Sequence, residues 1–260
     1  MKLEGKVAII TGAGGDIGKE IARQFVAEGA KIVIAGRNVA KLEKAAAEIG
    51  ISSDDYVAVS TDISDEAAVE ALVETAKEKF GKLDIMVCNS GLPGDVNAAV
   101  DYSVEKFDQV VAVNLRGTFL CMKYALKSMI PAGGGAIVVT ASIGGLKGMP
   151  GTIGYNATKF AINGMVKTVS TDHARDGIRC NSVCPSPVEG EMMRGTEAAY
   201  GNNAGGVAAE DIKEGIAAGI PMGRYAQPAE IAAATLFLAS DEASFISGVN
   251  LPVDGGMAAS

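Results

Sequence analysis

The sequence predicts an α/β fold in which a doubly wound, seven-stranded parallel sheet carries helices on both faces. Short β-rich runs occur at 7–11, 31–36, 56–60, 84–88, 136–141, 178–184 and 249–253. Helix-period stretches separate nearly all of them, and strands that alternate with helices are joined by crossovers that leave them parallel. A glycine-rich turn, Thr11-Gly12-Ala13-Gly14-Gly15-Asp16-Ile17-Gly18, links the first run to the first helical pattern. A length of 260 residues suits one domain with a full core, so residues 1–260 are read as a single domain.

Taken in order, the first helix pattern places Ile17, Ile21 and Phe25 on one core-facing stripe and stops at Gly29, a natural C-terminal cap. From Tyr155, a second stripe runs through Ala157, Ala161, Met165 and Val169 at four-residue spacing. Gln227-Pro228-Ala229-Glu230 opens a late helix with proline in its first turn and an early acid. Between Pro185 and Gly223, Gly, Ala, Asn and Met mix with little sustained period, so residues 186–223 are expected to form a mobile lid. No repeat, heptad or polar low-complexity tract interrupts the pattern.

Composition removes several function classes. With 23 Lys+Arg against 31 Asp+Glu, the formal net charge is −8, and there is no basic stripe. Such a chain repels a phosphate backbone or an anionic leaflet, so neither nucleic acid nor membrane is an expected partner. Apolar runs such as Val7–Ile10, Ile32–Ala35 and Ala136–Val139 fall far short of the roughly 18 residues a spanning helix needs. The opening MKLEGK passes straight into a strand-like run, and a cytoplasmic location is expected. Cys88, Cys121, Cys180 and Cys184 contain no Cys-x-x-Cys pair and are read as reduced, mostly buried thiols. The sole histidine, His173, lies in the charged helix end TDHARDG, which leaves too few ligands for a metal site and no base for a Ser-His-Asp triad.

A glycine-rich turn between a strand and a helix N-terminus offers free N–H groups and the positive dipole end to a pyrophosphate. The same turn without a ligand is the bland alternative, and its strand-before, helix-after context favours a Rossmann-type dinucleotide site. Thr-Gly-x-x-x-Gly-x-Gly at this place resembles the fingerprint of the short-chain dehydrogenases/reductases, which assigns Gly12, Gly14, Asp16, Ile17 and Gly18 to the cofactor. Asp16 stands where that pattern has its middle glycine. A carboxylate facing the pyrophosphate would repel it. At the first helical turn it could instead cap the helix, and that is the favoured reading.

An NAD-binding site of this type usually ends its second strand on a carboxylate for the ribose hydroxyls. Here the strand ends Gly36-Arg37-Asn38, and the guanidinium of Arg37 suits a 2′-phosphate. NADP(H) is therefore the expected cofactor, with NAD(H) as the alternative and a solvated helix-start cation as the bland reading of Arg37. The resemblance adds Asp62 and Ile63 after the third strand, with Asp62 holding the adenine amino group, although Asp62 could equally cap the next helix. It also adds Asn89 and Gly91, in Cys88-Asn89-Ser90-Gly91, near the ribose.

Tyr155 and Lys159 lie one turn apart on one helix face. A nearby ammonium stabilises a phenolate and pulls the Tyr pKa from near 10 toward the working range. Ser142 lies thirteen residues before Tyr155, at the end of a strand. The set resembles the family's catalytic constellation. By that resemblance, Tyr155 transfers the proton, Ser142 hydrogen-bonds the substrate oxygen, and Lys159 binds the ribose and lowers the Tyr pKa. Asn114, in Val113-Asn114-Leu115-Arg116-Gly117, holds a water that relays protons to Lys159.

The resemblance spans essentially the whole chain, including Leu236–Ser240, Gly248 and Val253-Asp254-Gly255-Gly256, and it implies a homotetramer. It also departs from the family in one late turn. Pro185 and Val188 are retained as cofactor positions, but Ser186 replaces a glycine. Glu189-Gly190 supplies no threonine for the nicotinamide carboxamide.

The expected function is hydride transfer between NADP(H) and a small or medium ketone or secondary alcohol, with Met192, Met193, Tyr200 and Met222 hinting at an adaptable pocket. The alternatives are an NAD-dependent alcohol dehydrogenase, a 3-oxoacyl-carrier-protein reductase, a halohydrin-dehalogenase-like lyase and a non-catalytic dinucleotide sensor.

Overall fold

A computed structural model of the chain describes residues 1–259. The strands β1 (Val7–Thr11), β2 (Lys31–Gly36), β3 (Tyr56–Ser60), β4 (Ile85–Cys88), β5 (Gly135–Thr140), β6 (Ile178–Pro185) and β7 (Asn250–Val253) form one sheet in the order β3-β2-β1-β4-β5-β6-β7. Every pairing is parallel. Strand limits fall within one residue of those predicted.

The helices are α1 (Asp16–Ala27), α2 (Val39–Glu48), α3 (Glu66–Phe80), α4 (Val104–Val110), α5 (Thr118–Met129), α6 (Ile153–His173), α7 (Glu191–Asn203), α8 (Ala209–Ala218) and α9 (Pro228–Ala239). Successive strand residues face opposite ways, and both faces are buried. Val7 and Ile9 of β1 enter one core with Leu72 of α3, Leu120 of α5 and Ile162 of α6. Ala8 and Ile10 enter the other with Phe25 of α1 and Ile231 of α9. That is why the strands read as unbroken apolar runs.

From β1 the chain winds outward through β2 and β3, then returns to place β4 on the other side of β1. This reversal opens a crevice at the carboxyl ends of β1 and β4, where open α/β sheets bind their ligands.

α1 buries Ile21 and Phe25 as predicted and ends at Ala27, two residues before Gly29 turns the chain at φ +90. α9 begins with Pro228 at its first turn, and the Glu230 carboxylate accepts from the Gln227 N–H at 2.7 Å. The stripe predicted on α6 is corrected. Ala157 is exposed, and the buried face carries Asn156, Lys159, Ile162, Asn163 and Val166. Polar residues occupy that face, so a count of apolar residues selects its flank.

Residues 186–223, expected as a lid with little sustained period, contain two helices. Their period is faint in sequence because α7 buries only Glu197 and Gly201, and α8 buries nothing. All four cysteines are free and buried, and His173 pairs with Asp176 at 2.9 Å. Among the described residues no helix is long and apolar enough to cross a membrane.

Candidate active site

The crevice holds a cleft of about 290 Å³ lined by Gly12, Gly14, Arg37, Asp62, Ile63 and Gly91, six of the residues assigned to a dinucleotide from sequence. Gly15 is the N-cap of α1 and supplies no side chain to the first-turn N–H groups, which leaves them available to an anion. Gly18 lies against the turn itself. A Cβ there would overlap the Gly12 carbonyl and stand 2.8 Å from Ala13 Cα and Asn89 Nδ2. Glycine at 18 is thus a condition for packing α1 tightly on β1. An open turn, an uncapped helix N-terminus and a cationic far wall fit a dinucleotide.

Asp62 faces this cleft with its Oδ1 accepting from both the N–H and the hydroxyl of Ser64, at 2.9 and 2.7 Å. These bonds, and the nearby Arg37, hold its carboxyl below the ordinary range. The cap of α3 is Asp65, so the cap reading of Asp62 falls. Sequence reasoning missed Asn38, Lys41 and Thr61, which also line the cleft. Lys41 lies in the first turn of α2, whose N-cap is Asn38, and could have been found from the helix start that follows the end of β2.

Asn89 works mainly as a brace. Its Nδ2 donates to the Thr11 and Gly12 carbonyls at 3.2 and 3.3 Å, and its Oδ1 accepts from the Thr140 hydroxyl at 3.0 Å. Thr11 completes the brace, its hydroxyl accepting from the N–H groups of Asn89 and Ser90 at 3.0 and 3.1 Å.

At the Gly91 end the cleft meets the predicted catalytic group. A Cβ on Gly91 would lie 3.4 Å from Asn114 Oδ1 and 3.8 Å from Lys159 Nζ. Asn114 sits in a π-helical stretch, Val111–Gly117, and is fully buried. Its amide clasps Leu92, accepting from the N–H at 2.7 Å and donating to the carbonyl at 2.9 Å. The side chain thus grips the backbone of Leu92.

Ser142 Oγ accepts from the Gly144 N–H at 3.0 Å, which fixes the oxygen and leaves its proton free to donate. Lys159 donates to the Thr140 carbonyl at 2.7 Å and lies 5.4 Å from the centre of the Tyr155 ring. Burial brings the Lys159 pKa down to about 8.

The expectation for Tyr155 is corrected. Burial pushes its phenol above the ordinary value, and the opposing pull of Ser142 does not offset it.

The pocket residues also need revision. Met192 and Met222 are 51% and 69% exposed. The unanticipated Met149 does flank the site. Its Sδ and the Tyr155 ring lie 3.5 and 3.4 Å from where a Gly144 Cβ would be. Pro185 ends β6 beside Val253, and Val188 bridges Ala226. The Glu189 carboxylate is held by Lys213 at 3.0 Å, so it does not replace the missing threonine.

Asp16 is the clearest departure from expectation. It does not cap α1, whose N-cap is Gly15. Its Oδ2 instead accepts from the backbone N–H of Glu191, the first residue of α7, at 2.8 Å.

Comparison with known proteins agrees with this geometry. A family model described as enoyl-(acyl carrier protein) reductase matches residues 12–258. The chain is 37% identical over 260 residues to meso-2,3-butanediol dehydrogenase of Serratia marcescens, covering 100% of this chain and 97% of the relative. The crystal structure of levodione reductase superposes with a TM-score of 0.94 at 33% identity, covering 99% of both chains. That of NAD+-bound xylitol dehydrogenase does so at 0.92 and 32% identity, covering 98% of this chain and 100% of the other. On the family model that spans most of its length, the 37% identity to a curated dehydrogenase and the superposition on levodione reductase, the chain belongs to the short-chain dehydrogenase/reductase family and is an oxidoreductase acting on CH–OH and C=O groups.

Proposed function

We propose that this chain interconverts a small or medium ketone and its secondary alcohol using NADP(H). The cofactor's chemistry is hydride transfer between its nicotinamide and the substrate carbon. The observation that carries the reading is the meeting of cleft and catalytic group at Gly91, beside Asn114 and Lys159.

In the reductive direction the Ser142 hydroxyl donates to the substrate carbonyl oxygen and polarises it. Tyr155 then gives its proton to the oxygen as the carbon accepts hydride. Desolvation raises the Tyr155 phenol, which keeps it protonated but makes it a weaker acid, so the donor role relies on the nearby Lys159 ammonium to stabilise the phenolate that forms. Lys159 has one N–H on Thr140, and its other two are free for a ribose hydroxyl and for returning a proton to Tyr155. Asn114 fixes Leu92, and with it the loop after β4 that borders the site. Residues 1–260 act as one catalytic domain in this reading, with 186–223 as its lid and a homotetramer as its assembly.

The preference for NADP(H) rests on the end of β2, where Arg37 and Lys41 line the cleft and Gly36 offers no carboxylate to the ribose. NAD(H) is the second reading, favoured by the xylitol dehydrogenase relative, which is NAD+-bound.

Titration of NADPH and NADH by nicotinamide fluorescence, on the wild type, Arg37→Ala and Tyr155→Phe, tests both parts. NADPH is expected to bind at least about tenfold more tightly, and Arg37→Ala to erase the gap. Tyr155→Phe is expected to keep cofactor affinity while turnover falls about 100-fold or more. Tighter binding of NADH would overturn the cofactor assignment. Turnover retained in Tyr155→Phe would overturn the mechanism.

A further inference from the structure

α7 reaches across both halves of the crevice, and its two ends are held by different parts of the fold. At its C-terminal end the Tyr200 hydroxyl donates to the Pro150 carbonyl at 2.8 Å, and Asn203 Nδ2 donates to the Val96 carbonyl. Those carbonyls belong to the loops before α6 and after β4, which border Tyr155 and Leu92. At its N-terminal end, the N-cap is Gly190, which has no side chain to satisfy the first-turn N–H groups. Asp16 supplies the missing acceptor from 175 residues away in sequence.

A second contact closes the same corner. The Glu191 carboxylate pairs with Lys41 Nζ at 2.9 Å, and the Lys41 side chain lies 3.2 Å from where a Gly14 Cβ would be. The seat is fitted tightly, because a Cβ on Gly190 would overlap the Asp16 carboxylate. Gly190 also holds φ +156, outside the range most side chains adopt.

We propose that Asp16 is a positioning residue that caps α7 from across the crevice and so latches this helix over the phosphate end of the cofactor cleft. The proposal rests on the reading of 186–223 as the lid of a dinucleotide site. It accounts for a carboxylate where the family pattern has glycine, because the charge is turned to the α7 N-terminus and away from the glycine-rich turn. An aspartate is favoured there twice over, by the hydrogen bond and by the positive end of the α7 dipole. Asparagine keeps the acceptor oxygen without the charge, whereas alanine removes both.

The test is amide hydrogen exchange over residues 191–196 in the protein without cofactor, on the wild type, Asp16→Ala, Asp16→Asn and Gly190→Ala. Asp16→Ala is expected to speed exchange of this first turn about tenfold, and Asp16→Asn to restore most of the protection. Gly190→Ala leaves the sequence of α1 unchanged and pushes α7 off the Asp16 carboxylate, so it should match Asp16→Ala and keeps the test open if that variant folds poorly. NADPH dissociation, followed by nicotinamide fluorescence, should quicken by a similar factor in both.

Unchanged exchange in Asp16→Ala and Gly190→Ala would overturn the latch. So would an Asp16→Asn variant as fast as alanine, since the retained acceptor would then count for nothing. The exchange readout needs no cofactor, so a wild type that binds no nucleotide would refute the proposed function while leaving the latch to stand or fall on exchange alone.

Discussion

Lys159 brings an ammonium into a site where it is 5% exposed, and burial lowers its pKa from 10.5 to about 8. At pH 7 the group is protonated in both the folded and the unfolded chain. Between about 8 and 10.5 the unfolded chain still binds a proton that the folded protein has released, so stability rises with pH across that window. Integrated from pH 7 to pH 9, this linkage contributes about 1 kcal/mol.

Urea unfolding of the wild type and Lys159→Met at those two pH values, at one protein concentration, isolates the effect. The neighbouring phenol and thiols titrate in both proteins, and the lost bond to Thr140 is lost at both pH values. The wild type is expected to gain about 1 kcal/mol on the variant between pH 7 and pH 9. No relative gain, or a relative loss, would show that Lys159 keeps its charge when folded, and would refute the argument that desolvation outweighs its hydrogen bond to the Thr140 carbonyl.

Two further outcomes follow from the turn at the cofactor cleft. Thr11→Val leaves the part-buried N–H groups of Asn89 and Ser90 without their acceptor and should cost about 1 to 2 kcal/mol in thermal or urea unfolding. A loss below about 0.5 kcal/mol would show that the brace is dispensable. Gly18→Ala forces a Cβ into the Gly12 carbonyl and should cost about 1 to 3 kcal/mol and weaken cofactor binding. Gly164→Ala, whose Cβ would meet nothing within 4 Å on the same kind of element, should be neutral or slightly stabilising and is the control.

The sheet was legible because its strands are buried on both faces. Burial of that kind leaves unbroken apolar runs such as Val7–Ile10, and the helices between them dictate parallel pairing. The turn at Gly12–Gly18 and the Tyr155 to Lys159 spacing were legible for a related reason: each is a local pattern whose geometry is set within one or two helical turns. The true face of α6 was not, since Asn156, Lys159 and Asn163 are buried there for the site and mask the apolar period. The helices α7 and α8 escaped because a segment that buries almost nothing writes almost no period into its sequence.

The sequence by itself determined the strands, their parallel order of winding and the residue types available for catalysis, because backbone pairing and helical spacing are short-range constraints. Only the tertiary structure decided what those side chains do. Asn89 and Thr11 brace the turn, Asn114 grips Leu92, and Tyr155 is held above its ordinary pKa because it is desolvated. Asp16 finds its partner at Glu191. Each of these depends on which groups long-range folding brings within about 3 Å and how much water it removes, and neither quantity is encoded in any local stretch of chain.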